Sequence, residues 1–156
     1  MRSRKEKGAA LTAEFALALF VFFMIILFPL INLIGLAMGA GTQYLLTKEC
    51  VSSAGVSSDY GTALASMEST ANKIASSGFG QFAKMAPIAG YSGSGTDLYI
   101  VRTPIATGNS VTYGPNSPFA GIVNNTNIYE YQVRSTFDLG PFLNLSAVPF
   151  IGTVPG

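Results

Sequence analysis

The residue best placed to do chemistry is a single carboxylate, Glu14, at the start of a long apolar run. No charged side chain follows it until Lys48, and the segment from Phe15 to Ile34 is almost entirely Phe, Leu, Ile, Val, Ala and Met. A carboxylate at the edge of a bilayer is costly unless it is paired or stays among the lipid headgroups. Glu14 therefore either lies one turn outside the hydrocarbon or has a cationic partner.

The small residues before Glu14 suggest what that partner is. Cleavage of the chain after Ala9 would leave a new α-amino group on Ala10, with Glu14 as the fifth residue of the mature chain. In a packed array of such helices, Glu14 of one subunit can pair with the Ala10 amine of its neighbour, and each charge compensates the other inside an apolar bundle. The chemistry predicted here is ion pairing between subunits.

The apolar run predicts a membrane helix. About 20 apolar residues, each rising about 1.5 Å, cross a hydrocarbon core of about 30 Å. A secretory signal peptide has a shorter apolar region of about 7–15 residues. Its cleavage site would here be Ala37-Met38-Gly39, and we expect a retained anchor instead. The positive-inside rule keeps the basic leader in the cytoplasm and places the chain from residue 48 onward across the membrane; the basic residues are Arg2, Arg4, Lys5 and Lys7.

The N-terminal region resembles the processing signal of type IV prepilins. The resemblance consists of the basic leader, Gly8-Ala9, the sequence Ala10-Leu11-Thr12-Ala13-Glu14-Phe15 and the apolar helix. Within that group the chain most resembles the TadE-like proteins, minor pilins or pseudopilins of the tight-adherence (Flp, type IVb) pilus system. Glu14-Phe15 resembles the Glu-Phe or Glu-Tyr pair of this family. The resemblance implies a type IV pilin-like fold in the inner membrane, cleavage by a prepilin peptidase, and other pilins and pilus-assembly proteins as partners. Because the principal subunits of this system are much shorter chains, it favours a minor subunit.

The resemblance leaves two bonds open for cleavage. The family places Glu at the fifth mature position, which makes Ala9 the last leader residue, although glycine is usual there. Cleavage after Gly8 restores the glycine but makes Glu14 the sixth residue. We take Ala9 as the end of the leader.

Three features inside the apolar run bear on helix packing. Pro29 removes a backbone hydrogen bond and predicts a kink. Asn32 needs a polar partner, which would be a neighbouring helix or a freed carbonyl. Gly35 and Gly39 have the GxxxG spacing that allows close helix approach. The alternative is that these glycines, with Gly41, loosen the helix where it leaves the membrane.

Two helical segments are predicted to follow the membrane. The first helix is predicted to continue one or two turns beyond the membrane through Leu45, Leu46, Cys50, Ala54 and Val56. Ser58 or Asp59 then caps a second helix. Four apolar residues of that second helix recur at helical spacing, namely Leu64, Met67, Ala71 and Ile74. The segment 76–80 is predicted to end the helix, and a short turn over 81–86 follows.

Strands are predicted over 98–105 and 128–138, with a brief one at 111–113. In the second, alternation points Tyr129, Tyr131, Val133, Ser135 and Phe137 to one face. Pro104 marks an edge or the end of its strand. The fold class predicted is therefore α+β: a leader (1–9), a transmembrane assembly helix (10–47), and an extracytoplasmic domain (48–156) with one or two helices and a short antiparallel sheet.

Composition argues against several function classes. The chain has no His, and its acids beyond residue 48 are scattered, so we expect neither catalysis nor a metal or other cofactor. A basic patch able to neutralise many phosphates is missing, which argues against nucleic-acid binding. Cys50, the single cysteine, is either a small residue packed on a helix or a site for palmitoylation or intermolecular cross-linking.

Overall fold

The computed structural model describes Thr12, residues 14–121 and residues 123–144. The predicted cleavage residues Gly8, Ala9 and Ala10 lie outside these ranges. The chain divides into two compact units, Met1–Leu36 with Pro141–Gly156, and Ala37–Gly140. We describe each unit separately.

A continuous helix of 42 residues runs from Glu14 to Gly55. A π-helical stretch, Phe22–Leu27, precedes the α-helix α1, Phe28–Gly55. The backbone N–H of Phe28 donates to the carbonyl of Phe23, five residues back. Pro29, where the sequence predicts a kink, follows immediately, and such π-helical turns are a known cause of helix bending.

The second helix, α2, spans Tyr60–Ala75 and is capped as predicted. Asp59 accepts the backbone N–H of Thr62 at 2.9 Å and its hydroxyl at 2.7 Å. These hydrogen bonds, the side-chain bond first, lower the pKa of the Asp59 carboxyl below its ordinary value. The cap satisfies a backbone donor that a helix start otherwise leaves unpaired.

The core of the unit Ala37–Gly140 lies between α1, α2 and the strands. The predicted helical stripe is confirmed, because Leu64, Met67 and Ala71 are buried and Ile74 is packed against them. Small side chains at several of these positions allow the two helices to approach closely. The buried cluster comprises Leu46, Cys50, Ala54, Ala63, Leu64, Met67, Ala71, Leu98, Val133 and Phe137.

A one-turn helix, α3, Gly78–Phe82, stands where the sequence predicts only the end of a helix and a turn. The Ser77 hydroxyl caps it by accepting the backbone N–H of Gly80 at 3.3 Å. Gly80 is buried, and a Cβ built on it would lie 2.2 Å from the carbonyl oxygen of Ala75. Only glycine therefore allows the chain to turn this closely from α2 into α3.

The strands form two antiparallel sheets. In the first, the order is β3 (Val111–Tyr113), β2 (Thr96–Pro104), β4 (Asn127–Ser135), and β2 pairs with β4 from Thr96↔Ser135 to Pro104↔Asn127. In the second, β1 (Met85–Pro87) pairs with β5 (Phe137–Leu139). Pro104 is the last residue of β2, and 111–113 is a strand, both as predicted.

The predicted continuous strand 128–138 is wrong in one respect, since it is two strands interrupted at Thr136. The N–H of Thr136 donates to Gly95 at 2.7 Å, and its carbonyl accepts from Ile88 at 3.3 Å. The alternation of faces nevertheless persists, because Val133 and Phe137 are both buried. Gly95 has a φ of +77°, and a Cβ there would lie 2.6 Å from the Phe137 ring. The fold class is α+β, with a long apolar N-terminal helix followed by a small domain of helices and antiparallel sheets.

Candidate functional site

Glu14 lies within the helix, directly before its apolar run, and its side chain is exposed. Phe15, its predicted companion, is 65% exposed. The Ala10 amine that would pair with Glu14 lies outside the described residues, so that pairing stays a prediction.

The helix after Glu14 is apolar on all sides, and most of its large side chains are exposed, while Met24, Leu27, Phe28 and Ile31 are partly buried. None of its most apolar 18-residue window is buried inside the chain. A helix that is hydrophobic all round requires hydrocarbon or other helices around it. Within the described residues it is the one helix long and apolar enough to cross a membrane. Its large exposed side chains are Phe15, Leu17, Leu19, Phe20, Val21, Phe22, Phe23, Ile25, Ile26, Leu30, Leu33, Ile34 and Leu36.

The polar residue of this segment, Asn32, has a partner that the sequence did not suggest. Its side-chain oxygen accepts the backbone N–H of Leu143 at 2.9 Å. This partner belongs to the chain's own C-terminal segment and is neither of the two that the sequence predicts for Asn32, a neighbouring helix or a freed carbonyl.

The two glycines of the GxxxG spacing are also covered by this chain. A Cβ built on Gly35 would lie 2.9 Å from the Cβ of Phe142. A Cβ on Gly39 would lie 3.0 Å from Leu139 Cδ1 and 3.5 Å from the Cβ of Ala83. The α1 helix continues through both glycines and through Gly41. Close approach at Gly35 and Gly39 thus occurs within one molecule.

A second apolar surface lies on the unit Ala37–Gly140, around α3. Met38, Leu45, Phe79 and Phe82 are exposed there, Phe79 to 65%. They line two adjoining grooves of about 360 and 490 Å³, which share Met38, Ser77 and Phe79. This surface was not predicted, because the sequence indicated the end of a helix over 76–80 and a turn over 81–86. The sequence did contain a signal for this surface. Phe79 and Phe82 are three residues apart, which makes them neighbours on the surface of a helix.

An aromatic cavity of about 350 Å³ opens between α2 and the three-stranded sheet. The rings of Tyr60 and Tyr131 are 6.2 Å apart, and those of Phe119 and Tyr129 are 5.4 Å apart. Burial, chiefly, raises the pKa of Tyr60 to about 12, so its hydroxyl stays protonated. Such a cavity accepts an apolar or ring-shaped group.

Cys50 belongs to the core. It is fully buried, and its thiol lies 3.5 Å from the carbonyl oxygen of Met67. This confirms the interpretation of Cys50 as a small packed residue, because palmitoylation and cross-linking both require an accessible sulfur. Over residues 14–121 and 123–144, no three His, Cys, Asp or Glu side chains come together as a metal site would require.

The described residues define an α+β protein with one candidate membrane-spanning helix near its N-terminus. Comparisons with known protein families, with curated proteins and with solved structures found no match.

Proposed function

We propose that this chain is a TadE-like minor pilin or pseudopilin of a tight-adherence (type IVb) pilus system. In this proposal it is a structural subunit, inserted in the inner membrane and processed by a prepilin peptidase, that takes part in pilus assembly. The observation that carries the proposal is the exposed Glu14 directly before a helical run that is apolar on all sides. In an ordinary anchor a carboxylate at that position is tolerated only among the lipid headgroups, whereas in a helix array it can pair with a cationic group.

The exposure of the apolar helix supports two successive environments. Lipid first surrounds the side chains between Phe15 and Leu36, and helices of other pilus subunits replace the lipid during assembly. Glu14 of one subunit then pairs with the Ala10 amine of the next, which removes two isolated charges from the apolar bundle. The basic leader faces the cytoplasm, and the α+β domain faces the periplasm or the outside.

Mass spectrometry of the N-terminus tests the processing step. In cells that contain the peptidase, we expect a mature chain beginning at Ala10, while cleavage after Gly8 would give a chain beginning at Ala9. Cells without the peptidase should retain the leader. An uncleaved chain in peptidase-positive cells would contradict the proposal.

The alternative is an unprocessed single-pass anchor that presents an envelope-interaction domain. The coverage of Gly35 by Phe142 and of Gly39 by Leu139 favours it, because these glycines are then occupied and do not need a neighbouring helix. Under this alternative the domain binds another envelope component, and no filament forms.

Replacing Glu14 by Gln separates the two functions. Under the pilin function, assembly should fail although the chain still inserts, because the pairing charge is gone. A simple anchor should insert at least as well as before, since a charged group near the membrane has been removed. Glu49→Gln, an exposed carboxylate further along the same helix, is the matched control and should leave assembly intact. Normal filaments from Glu14→Gln would contradict the pilin function.

A further inference from the structure

The side-chain amide of Asn32 is only partly used by the hydrogen bond that it makes. Its oxygen accepts the backbone N–H of Leu143 at 2.9 Å, while its two N–H donors have no acceptor among the residues that the structure describes. Asn32 lies in the apolar run, where a bilayer offers few other acceptors. An amide in such a place favours a partner that brings an acceptor of its own.

The face of the helix that carries Asn32 is covered by the C-terminal segment. Gly35 lies about one turn further along, and a Cβ built on it would stand 2.9 Å from the Cβ of Phe142. Asn32 and Gly35 are both partly buried, whereas the neighbouring Leu33 is 62% exposed. We call the residue pair Phe142-Leu143 the cover, because it shields this one face.

The cover has no regular secondary structure, since residues 141–144 form neither helix nor strand. A segment of this kind cannot pair its backbone groups internally as a helix does, and irregular backbone that faces lipid is costly. A second helix brings no such cost, because all its backbone hydrogen bonds lie within the helix. In a bilayer, a helix is therefore a better occupant of this face than the cover.

A second copy of the same helix has the matching chemistry. The Asn32 amide has both donors and an acceptor, so two parallel copies related by a two-fold axis can bond Nδ2 of one Asn32 to Oδ1 of the other. A glycine at the contact, here Gly35, allows two helix backbones to approach closely. The cover prevents this arrangement, because Phe142 fills the space beside Gly35 and Leu143 bonds to the Asn32 oxygen.

We propose that Asn32 and Gly35 form a helix-association face that the cover keeps closed, and that displacement of the cover opens this face to a second copy of the chain. The C-terminal segment thus controls when the membrane helix associates. This inference rests on the membrane insertion and helix packing included in the proposed function, but requires neither leader cleavage nor the pairing of Glu14.

Energy transfer between full-length chains in phosphatidylcholine vesicles tests the proposal. Val56→Cys supplies the labelling site in every protein, because Val56 is 85% exposed and the native Cys50 is fully buried. Leu143→Pro removes the N–H that Asn32 accepts, and Leu143→Ala, the matched control, keeps it. Chains labelled with a donor and chains labelled with an acceptor are mixed, and transfer is measured against the ratio of protein to lipid.

We expect Leu143→Pro to associate between about threefold and about twentyfold more tightly than the parent and Leu143→Ala, because opening the cover no longer breaks a hydrogen bond of the strength found between membrane helices. Adding Asn32→Leu to Leu143→Pro should reverse the gain, since the amide that joins the two helices is gone. Equal association of Leu143→Pro and Leu143→Ala would overturn the proposal, and so would a gain that Asn32→Leu leaves in place.

Phe142→Gly tests the other half of the cover. It keeps the Leu143 N–H but removes the Cβ that lies beside Gly35, and association should again rise above that of the parent. Each variant should take up a single label per chain, because Cys50 stays buried while the core of the domain is intact. Association of Phe142→Gly at the parent level would overturn the closing of Gly35 by the cover, whereas leader cleavage and the Glu14→Gln assembly test would be unaffected.

Discussion

The backbone N–H of Leu143 donates a hydrogen bond to the side-chain oxygen of Asn32, 111 positions earlier in the chain. The same C-terminal segment places Phe142 against Gly35, one turn further along the helix. Two residues shortly after β5 therefore pair with the polar side chain of Asn32 and fill the space beside Gly35. Since an unsatisfied amide is costly in an apolar environment, this bond holds the segment to the helix.

Asn32→Leu should weaken this attachment. The substitution leaves the Leu143 N–H without its acceptor, and we expect a loss of about 0.6 kcal/mol in the free energy of unfolding, the average for side-chain hydrogen bonds between membrane helices, and of about 1.7 kcal/mol at most. Thermal unfolding in detergent micelles measures it. Leu33→Val, at a neighbouring exposed position, should leave stability nearly unchanged. Equal stability of Asn32→Leu and Leu33→Val would show that the bond contributes nothing.

Gly39→Leu and Gly41→Leu form a matched pair on α1. At Gly39 a side chain collides with Leu139 and Ala83, and overpacking typically costs about 1–3 kcal/mol. At Gly41 no described atom lies within 4 Å of an added Cβ, and replacing a helical glycine by a better helix former is worth up to about 1 kcal/mol. Denaturation should therefore show Gly39→Leu destabilised and Gly41→Leu unchanged or stabilised. The reverse order would mean that Leu139 does not pack on Gly39.

Cys50 should be unreactive in the folded protein. Its side chain is fully buried in the core, so a maleimide reagent should label it only after denaturation. Val56→Cys adds an exposed thiol and should react at once, to one label per chain. Rapid labelling of the unaltered protein, or spontaneous dimers that a reductant separates, would contradict the burial of this sulfur.

The N-cap of α2 should make stability depend on acid. Hydrogen bonds from Thr62 lower the pKa of Asp59 in the folded state, so the ionised carboxylate stabilises the fold above the unfolded-state pKa. As the pH falls through the lowered folded-state value, this contribution is lost. Asp59→Asn keeps the cap but cannot titrate, so its melting temperature should fall less between pH 6 and pH 2.

Thr62→Val is the companion variant for this titration. It removes the side-chain hydrogen bond that is the largest cause of the lowered pKa but keeps the backbone bond. Its loss of stability in acid should lie between those of the parent chain and Asp59→Asn. Identical acid profiles for all three proteins would contradict the role of Asp59 as a charged cap.

Local patterns were sufficient to predict the elements whose hydrogen bonds are local. Three of the predicted features depend only on neighbours within a few residues. They are the spacing of Leu64, Met67 and Ala71, the cap at Asp59, and the alternation through Val133 and Phe137. The break at Thr136 could not be predicted in this way. It depends on Gly95 and Ile88, some 40 to 50 residues earlier, which draw the chain into a second sheet.

The same difference between local and distant contacts applies to the candidate site. Glu14, Phe15 and the apolar helix could be identified from sequence because an uninterrupted apolar run is itself the signal. The partner of Asn32 and the covering of Gly35 could not, since both come from the opposite end of the chain. The aromatic patch on α3 was missed because a five-residue helix is too short to show a period.

The contacts on the buried side of α1 also constrain the number of residues between Gly39 and Leu46. Gly39 contacts Leu139, and further along Leu46, Cys50 and Ala54 join the core. Each helical residue turns the chain by about 100°, so one residue inserted between Gly39 and Leu46 would swing the later contacts a quarter-turn or more out of phase. Such an insertion alters no side chain, yet it would point Cys50 and Ala54 away from α2. An insertion of about seven residues, close to two whole turns, would restore the rotation but shift these contacts by about 10 Å along the axis.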